Sequence, residues 1–212
     1  MKVLVVGAGG HGQVVADILR VENGGGHDIS FGGYLDDAMY AARAALGDVV
    51  LGVTGDWLKI AHDALVVAIG NNEIRRQVFD DLVRQGARFI VARHPATTVA
   101  DDVHIGPGSM LCAGVIVNTQ AVIGANSIIN TSASVDHHCR IGDHVHIAPG
   151  VRLGGGVHVG EGALVGIGAI VLPETRIGAW ATVGAGAVVI NDVDPGATVV
   201  GIPARALVTS TR

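Results

Sequence analysis

Aromatic residues, cysteines and long apolar runs are all scarce in this chain of 212 residues. It has three phenylalanines, two tryptophans and two tyrosines, although 49% of its residues are hydrophobic. The core must therefore be built from Val, Ile, Leu and Ala packed closely against backbone, and the 32 glycines fit such packing. This composition is typical of a regular stacked architecture.

Other scarcities restrict the compartment and the ligand. Two cysteines, Cys112 and Cys139, are too few for a disulfide framework and fit a reducing cytoplasm. No apolar stretch approaches the length of a membrane span, and the apolar start Met1 to Val6 ends at Gly7 with no cleavage pattern after it. The formal net charge is -5 and Lys and Arg form no run, which argues against nucleic acid or an anionic membrane as partner. We expect a cytoplasmic protein with a small ligand.

A six-residue repeat dominates the second half. Every sixth residue from Val99 to Val189 is Val, Ile or Leu, and the residue four places after each is small or β-branched. A helix would place apolar residues three and four apart, and a simple strand two apart, so this period selects a hexapeptide β-helix. Every three hexads should form one triangular coil with the large aliphatic residues inside. Successive coils should stack about 4.8 Å apart.

The first half begins with an apolar strand, a glycine turn and an amphipathic helix, "KVLVVGAGGHGQVVADILR". Gly7, Gly9 and Gly12 satisfy G-x-G-x-x-G in the correct context of strand before and helix after. The fold class is therefore α/β plus β: a short Rossmann-like parallel α/β domain (1–94), then a parallel β-helix (95–212), with the junction at "HPAT". We predict further strands at Ile29–Leu35, Leu65–Ile69 and near Phe89–Val91, and a helix over Glu73–Arg84.

The glycine turn suits any diphosphate, because exposed N–H groups and the helix dipole favour anions whatever is attached to them. The motif alone leaves NAD open, with Asp36 of "YLDD" placed to contact a ribose. Nothing in the chain supplies the second half-sheet that would hold a nicotinamide. A nucleotide sugar, which carries the same diphosphate, fits better.

Several segments occur in the order found in the PglD/NeuD-like sugar acyltransferases, and the resemblance covers nearly the whole chain. They are "VVGAGGHGQVVADI", "YLDD", "AIGNNEIRRQV", the hexads, "SVDHHCRIGDHVHIAPG" and "VVGIPARAL". The family includes nucleotide-activated amino-sugar N-acetyltransferases and sialic acid O-acetyltransferases of bacteria. The resemblance implies a left-handed coil, acetyl-CoA as co-substrate, and a homotrimer with the acyl-CoA site between neighbouring prisms.

The resemblance also implies the residues of the site. The general base would be His137, and His146 would contact acetyl-CoA. The coil edges would give backbone groups to the cofactor at Gly155, Ile167 and Ala185, and the N–H of Gly155 would stabilise the oxyanion. The nucleotide sugar would contact Gly9, Gly10 and His11 in the glycine loop, Asp36 and Asp37 after the second strand, and Gly70.

The chain departs from the family at the residue after the base. That residue is normally acidic in the relatives, where it raises the basicity of the histidine, and here it is His138. Asp136 could orient the imidazole instead, although alternation along a strand would send adjacent side chains apart. Both His138 and Asp136 are therefore candidates for the catalytic group, beside His137.

The four histidines His137, His138, His144 and His146 do not predict a metal site. His138 and His144 are six residues apart, so they lie on successive faces of a coil and cannot converge on a zinc ion within one chain. We expect His144 to be an exposed surface residue, and for His138 a surface position stands beside the catalytic one.

We predict an acetyl-CoA-dependent N-acetyltransferase that acts on a UDP- or dTDP-linked amino-dideoxy sugar and requires no metal. A neutral imidazole is suited to take the proton of the attacking amine at neutral pH. The alternatives are O-acetylation of sialic acid or another sugar, and a non-catalytic hexapeptide protein that binds a nucleotide sugar. Cys139, at a small inward position, is assigned to the core, and Arg75 and Arg76 to a solvated helix face.

Overall fold

The computed structural model describes residues 1–24 and 29–207, and it has the predicted order of an α/β domain followed by a parallel β-helix. In the α/β domain, four parallel strands lie in the order β3-β2-β1-β4: β1 (Lys2–Val6), β2 (Ser30–Leu35), β3 (Val50–Gly52) and β4 (Ala64–Val67). The helices are α1 (Gly10–Gly24), α2 (Met39–Leu46) and α3 (Asn72–Arg84), with 3₁₀ turns at Gly47–Val49 and Thr54–Lys59.

Local chemistry explains the parts of this domain that carry the glycine loop. β1 is almost entirely buried, as expected of a central parallel strand covered on both faces. The chain then turns so tightly that a Cβ at Gly12 would lie 2.0 Å from the carbonyl oxygen of Gly7, so only glycine fits there. At the start of α3 the side chain of Asn71 accepts a hydrogen bond from the N–H of Ile74 at 2.9 Å, which caps the helix.

Some predicted elements differ from the observed ones. The strand expected near Phe89–Val91 is reduced to one parallel bridge between Leu65 and Phe89, because the chain leaves this sheet and joins the β-helix at Ala92–Arg93. Neither α2 nor β3 was predicted. The division at residue 94 stays a prediction.

The β-helix has three faces, and along them a residue pairs with the residue eighteen positions later, as in Val122 with Arg140, until the last coil, where the spacing is sixteen, as in Thr182 with Thr198. Face 1 consists of Ala92–Arg93, Met110–Leu111, Ile128–Ile129, His146–Ile147, Leu164–Val165, Thr182–Val183, Thr198–Val200 and the antiparallel Arg205–Ala206. Face 2 consists of Thr98–Val99, Ile116–Val117, Ser134–Val135, Arg152–Leu153, Ile170–Val171 and Val188–Val189. Face 3 consists of His104–Ile105, Val122–Ile123, Arg140–Ile141, His158–Val159 and Arg176–Ile177.

The hexad pattern is confirmed residue by residue. The aliphatic positions from Leu111 to Val189 and the small positions from Ser109 to Val193 are all buried. We name each vertex after the two faces it joins: vertex 1–2, vertex 2–3 and vertex 3–1. At most turns of these vertices, the residue three places after the aliphatic position has a left-handed conformation. This residue is glycine at many turns, but it is Asn126, His138, His144 or Trp180 at others.

The α/β domain packs on face 1, where Met110 and Ile128, together with the adjoining Cys112, share a core cluster with residues of β1 and α1. Helix α3 lies along vertex 3–1. Its Phe79 ring would contact a Cβ at Gly108 at 2.7 Å, and its Asn72 side chain donates to the carbonyl of Gly162 at 3.0 Å. Within residues 1–24 and 29–207, no helix has the length and apolar character needed to cross a membrane.

Candidate active site

His137 and His138 lie on vertex 2–3, where they follow the strand Ser134–Val135 and Asp136. Their Nδ1 atoms are 3.0 Å apart and their ring planes meet at 88°. One of these nitrogens must donate a proton and the other must accept it. When His137 is the donor, its Nε2 carries the lone pair that a general base requires.

The carboxylate of Asp136 is directed to a backbone N–H and to the side chain of Asn118, and not to the imidazole. Its Oδ1 accepts from the backbone N–H of His137 at 2.7 Å and from Nδ2 of Asn118 at 2.8 Å. The hydrogen bond from Asn118, followed by that from His137, lowers the pKa of Asp136. Of the two candidates for orienting the predicted base, the structure places His138, and not Asp136, on the ring of His137.

Gly155, one coil further on, lies under the His137 ring. A Cβ at Gly155 would lie 2.5 Å from Cε1 and 2.7 Å from Nε2 of His137, so the ring can occupy this position only over a glycine. The N–H of Gly156 donates to the His137 carbonyl at 2.9 Å and ties the two coils together. A cavity of about 460 Å³ surrounds the ring, and Pro173 and Glu174 line its far side.

The other two coil-edge residues predicted for the cofactor lie elsewhere. Ile167, which is 61% exposed, and the exposed Ala185 are on vertex 1–2. Vertex 1–2 and vertex 2–3 border face 2 on opposite sides. One chain therefore does not bring Ile167 and Ala185 together with Gly155 and His137.

His146 is on face 1 and faces the α/β domain. Its ring centroid is 6.3 Å from that of His11, its Nε2 is 3.2 Å from Nδ2 of Asn130, and it forms a hydrogen bond with the backbone of Gly70. Residues predicted for two different ligands thus form one group between the domains. Among the described residues, the buried Nε2 of His11 has no hydrogen-bond partner.

Arg75 lies beside this group and is fully buried, so its assignment to a solvated helix face was wrong. Its guanidinium donates to the carbonyls of Asn126 at 3.0 Å, Ile69 at 3.0 Å and His144 at 2.7 Å. Helical periodicity did not reveal this position, because the polar side of α3 docks on the backbone of vertex 3–1 instead of facing water.

Burial and the charge of Arg75 keep the two interdomain histidines neutral. Burial lowers the pKa of Arg75 to about 9. The pKa of His11 is lowered to about 4, by burial first and then by the Arg75 charge. Burial, Arg75 and then His11 lower the pKa of His146 to about 4. Both imidazoles are therefore uncharged near pH 7 and offer one donor and one acceptor each.

His144 was expected at the surface and is buried instead, with 7% of its surface exposed. It has the left-handed turn conformation on vertex 3–1, where its Nδ1 lies 2.9 Å from Nδ2 of Asn126 and its ring packs on Phe79. A signal for this was present in the sequence: Asn126, His144 and Trp180 are bulky residues at turn positions of the same vertex, where glycine costs least.

The acidic residues of "YLDD" support the turns around the glycine loop. Asp36 accepts from the backbone N–H of Ala8 at 2.7 Å and of Ala38 at 2.8 Å, and Asp37 accepts from that of Thr54 at 2.8 Å. A Cβ at Gly9, Gly10 or Gly70 would meet no atom within 4 Å, so the loop is open on this side. Contact of these residues with a ligand stays a prediction. In residues 1–24 and 29–207, no three His, Cys, Asp or Glu side chains are grouped to hold a metal ion.

Comparison with known proteins adds two family matches and close structural relatives. The family described as PglD N-terminal domain matches residues 2–82, and the bacterial transferase hexapeptide family (six repeats) matches residues 120–155. GDP-perosamine N-acetyltransferase of Escherichia coli O157:H7 is 34% identical over 124 residues, which are 57% of this chain and 55% of that protein. UDP-N-acetylbacillosamine N-acetyltransferase of Bacillus subtilis (strain 168) is 37% identical over 116 residues, 53% of this chain and 51% of that protein.

The matched region thus spans about half the length of these curated relatives. A solved structure extends the likeness to nearly the whole chain. PerB from Caulobacter crescentus, in complex with CoA and GDP-perosamine, is 36% identical with a TM-score of 0.88, and the match covers 98% of this chain and 97% of PerB.

Proposed function

Because this chain belongs to the PglD-like family of hexapeptide sugar acyltransferases, we propose that it is an acetyl-CoA-dependent N-acetyltransferase of a nucleotide-linked amino sugar. The observation that carries this proposal is the His137 ring held over Gly155, with its Nδ1 against His138 and its Nε2 directed away from that contact. This arrangement gives a base on an open cavity, as direct acyl transfer needs.

The chemistry of the transfer follows from this geometry. Nε2 of His137 takes a proton from the sugar amine while the nitrogen attacks the thioester carbonyl. The C–N bond forms, the C–S bond breaks, and the proton passes from His137 to the departing CoA thiolate. General base catalysis of this kind supplies about 10² to 10⁴-fold in rate. The N–H of Gly155 is the expected donor to the oxyanion, which develops negative charge in the transition state.

We propose further that the working unit is a homotrimer. Its support is the separation of the cofactor residues, since Gly155 and His137 on vertex 2–3 can meet Ile167 and Ala185 only if vertex 1–2 belongs to a neighbouring copy. Face 2, between these vertices, exposes Ile116 by 44% and Ile170 by 43%, and its charged Arg152 turns back to donate to the carbonyl of Ser132. Three such faces around one axis would cover the apolar surface and create three equivalent clefts.

The amino sugar would be held by the α/β domain through its diphosphate. Open backbone at Gly9 and Gly10, at the N-terminus of the fifteen-residue helix α1, supports this placement. The sequence predicted a UDP or dTDP carrier; one relative is named for a UDP sugar and another for a GDP sugar, so all three carriers belong in a test.

The test is a thiol-release assay with acetyl-CoA against UDP-, dTDP- and GDP-linked amino sugars and sialic acids. We expect turnover with at least one nucleotide amino sugar and a loss of about 10²-fold or more in kcat for His137→Ala, with CoA binding retained. Turnover of sialic acid alone would favour O-acetylation. Binding of nucleotide sugar without any thiol release would favour the non-catalytic alternative, and near-normal turnover by His137→Ala would exclude His137 as the base.

A further inference from the structure

Arg75 makes hydrogen bonds to three separate segments of the chain. From α3, its Nη1 donates to Ile69 at 3.0 Å and to Gly70 at 3.4 Å, in the loop that follows β4. Its Nε donates to Asn126 on one coil, and its Nη2 donates to His144 and Val145 on the next coil. The planar guanidinium thus links the α/β domain to two successive coils of the β-helix.

This arrangement is unusual for a buried charge. In the described part of the chain, no carboxylate forms an ion pair with Arg75, and every hydrogen bond that its guanidinium donates there goes to a carbonyl oxygen. A buried cation without a counter-ion is costly to stability, and hydrophobic side chains of similar volume would often be at least as stable. Stability alone therefore does not explain an arginine at this position.

The bonded carbonyls are next to the predicted ligand groups. The carbonyl of Gly70 accepts from Arg75, and His146 also forms a hydrogen bond with the backbone of Gly70. On the β-helix side, Val145 directly precedes His146. A displacement of the guanidinium would therefore change the distance from His146 to the glycine loop, which carries His11.

We propose that Arg75 is a positioning residue that fixes the nucleotide-sugar half of the site relative to the half that binds acetyl-CoA. This proposal rests on the proposed function. Arg75 touches neither substrate in this arrangement; it holds Gly70 and the backbone before His146 at one spacing, so that an amine delivered by the α/β domain reaches the acetyl group. Each half-site can bind its own ligand without it.

The experiment compares Arg75→Lys and Arg75→Met with Arg76→Met. Arg76 is a matched control, because it also joins α3 to the β-helix, with its guanidinium 4.9 Å from the Trp180 ring centroid and 3.8 Å from Glu161, but it makes no bond to the loop at Gly70. Calorimetry gives the dissociation constants of CoA and of the nucleoside diphosphate separately, and thiol release gives kcat.

We expect kcat to fall by about 10- to 10²-fold in Arg75→Lys, since a displacement of about 1 Å at a positioned group costs this much. Both dissociation constants should stay within about twofold of wild type, because neither half-site has lost a ligand contact. A kcat within about twofold of wild type, or a fall matched by equal losses in both binding constants and in melting temperature, would overturn the proposal. Arg76→Met should lose stability without this separation of kcat from binding.

Imidazole NMR gives a result that does not depend on the sugar. The signals of His11 and His146 should shift in Arg75→Met and Arg75→Lys, and stay in place in Arg76→Met. Unchanged signals of His146 in both Arg75 variants would refute a positioning role, even where Arg75→Met is too unstable for kinetics. If the wild-type protein acetylates no sugar of the panel, the proposed function fails, whereas these signals still decide whether Arg75 fixes His146.

Discussion

Adding one methyl group at Gly155 should displace His137, the proposed base, without unfolding the protein. A Cβ there would lie 2.5 Å from Cε1, 2.7 Å from Nε2 and 3.1 Å from Nδ1 of His137. The position of Gly155 in its hexad is occupied by Thr119 in the coil before His137 and by Pro173 in the coil after Gly155. The backbone at this position therefore accepts side chains. The His137 ring is therefore the group that must move in Gly155→Ala.

The size of the effect follows from these distances. Carbon atoms in contact are separated by about 3.5 to 4.0 Å, so the ring must retreat by about 1 Å or rotate out of its rotamer. Rotation costs about 0.5 to 1.5 kcal/mol of stability, a small part of the total. Displacement of a catalytic group by about 1 Å costs on the order of 10²-fold in rate. Gly155→Ala should thus lose much activity and little stability.

The thiol-release assay and urea unfolding test both parts, and a double-mutant cycle tests the cause. If Gly155→Ala acts only by displacing His137, then the double variant Gly155→Ala/His137→Ala should be no slower than His137→Ala alone. Full activity in Gly155→Ala would refute the assignment of the ring position. A further loss in the double variant would show that the methyl group blocks substrate or the oxyanion donor instead.

Three other variants or conditions test the rest of the site. His138→Ala should shift the pH profile of kcat/KM, because Nδ1 of His137 loses its partner, and an unchanged profile would make His138 a surface residue. The pKa values of His11 and His146 are about 4 in the folded protein, against an ordinary 6.5. Between these two pH values the unfolded chain binds more protons than the folded one, so the free energy of unfolding should fall as the pH falls from about 6.5 to 4. Urea unfolding across this range measures the slope, which His146→Gln should reduce; an equal slope in that variant would contradict the assignment. Gly10→Val should weaken nucleotide binding in calorimetry, because the added side chain would block the approach of the diphosphate. The fold should be retained, since a Cβ at Gly10 meets no atom within 4 Å. Undiminished binding would mean that the ligand binds elsewhere.

The sequence was sufficient to predict the β-helix because its period is carried by residue type. Each inward aliphatic position and each small corner position must be filled at every hexad, and the burial of Leu111 to Val189 follows that rule. The strand, glycine turn and helix at the start could also be predicted from residue type, because the contact with the backbone of Gly7 requires a glycine at position 12. The pattern also placed His138 and His144 correctly in one hexad phase.

The contacts of α3 could not be predicted in this way. Arg75 binds carbonyl oxygens, which every residue has, so its partners Asn126 and His144 carry no side-chain signature of the bond. Likewise, the contact between His137 and His138 depends on a left-handed turn at His138, where neighbouring side chains do not alternate as they do in a strand. The bulky turn residues of vertex 3–1 were visible in the sequence, but the long-range hydrogen bonds from Arg75 to the backbone, which hold α3 against that vertex, were not.

The seating of α3 along vertex 3–1 restricts how this protein can gain or lose repeats. The helix contacts turn residues of five successive coils, at Gly108, Asn126, His144, Gly162 and Trp180. An inserted coil within this span would move every later turn about 4.8 Å away from its partner on the helix. A coil added beyond Trp180 would leave all five contacts unchanged. Insertions and deletions of whole coils should therefore be tolerated only after Trp180, toward the C-terminal end. The contacts of α3 thus fix the number of coils between Gly108 and Trp180.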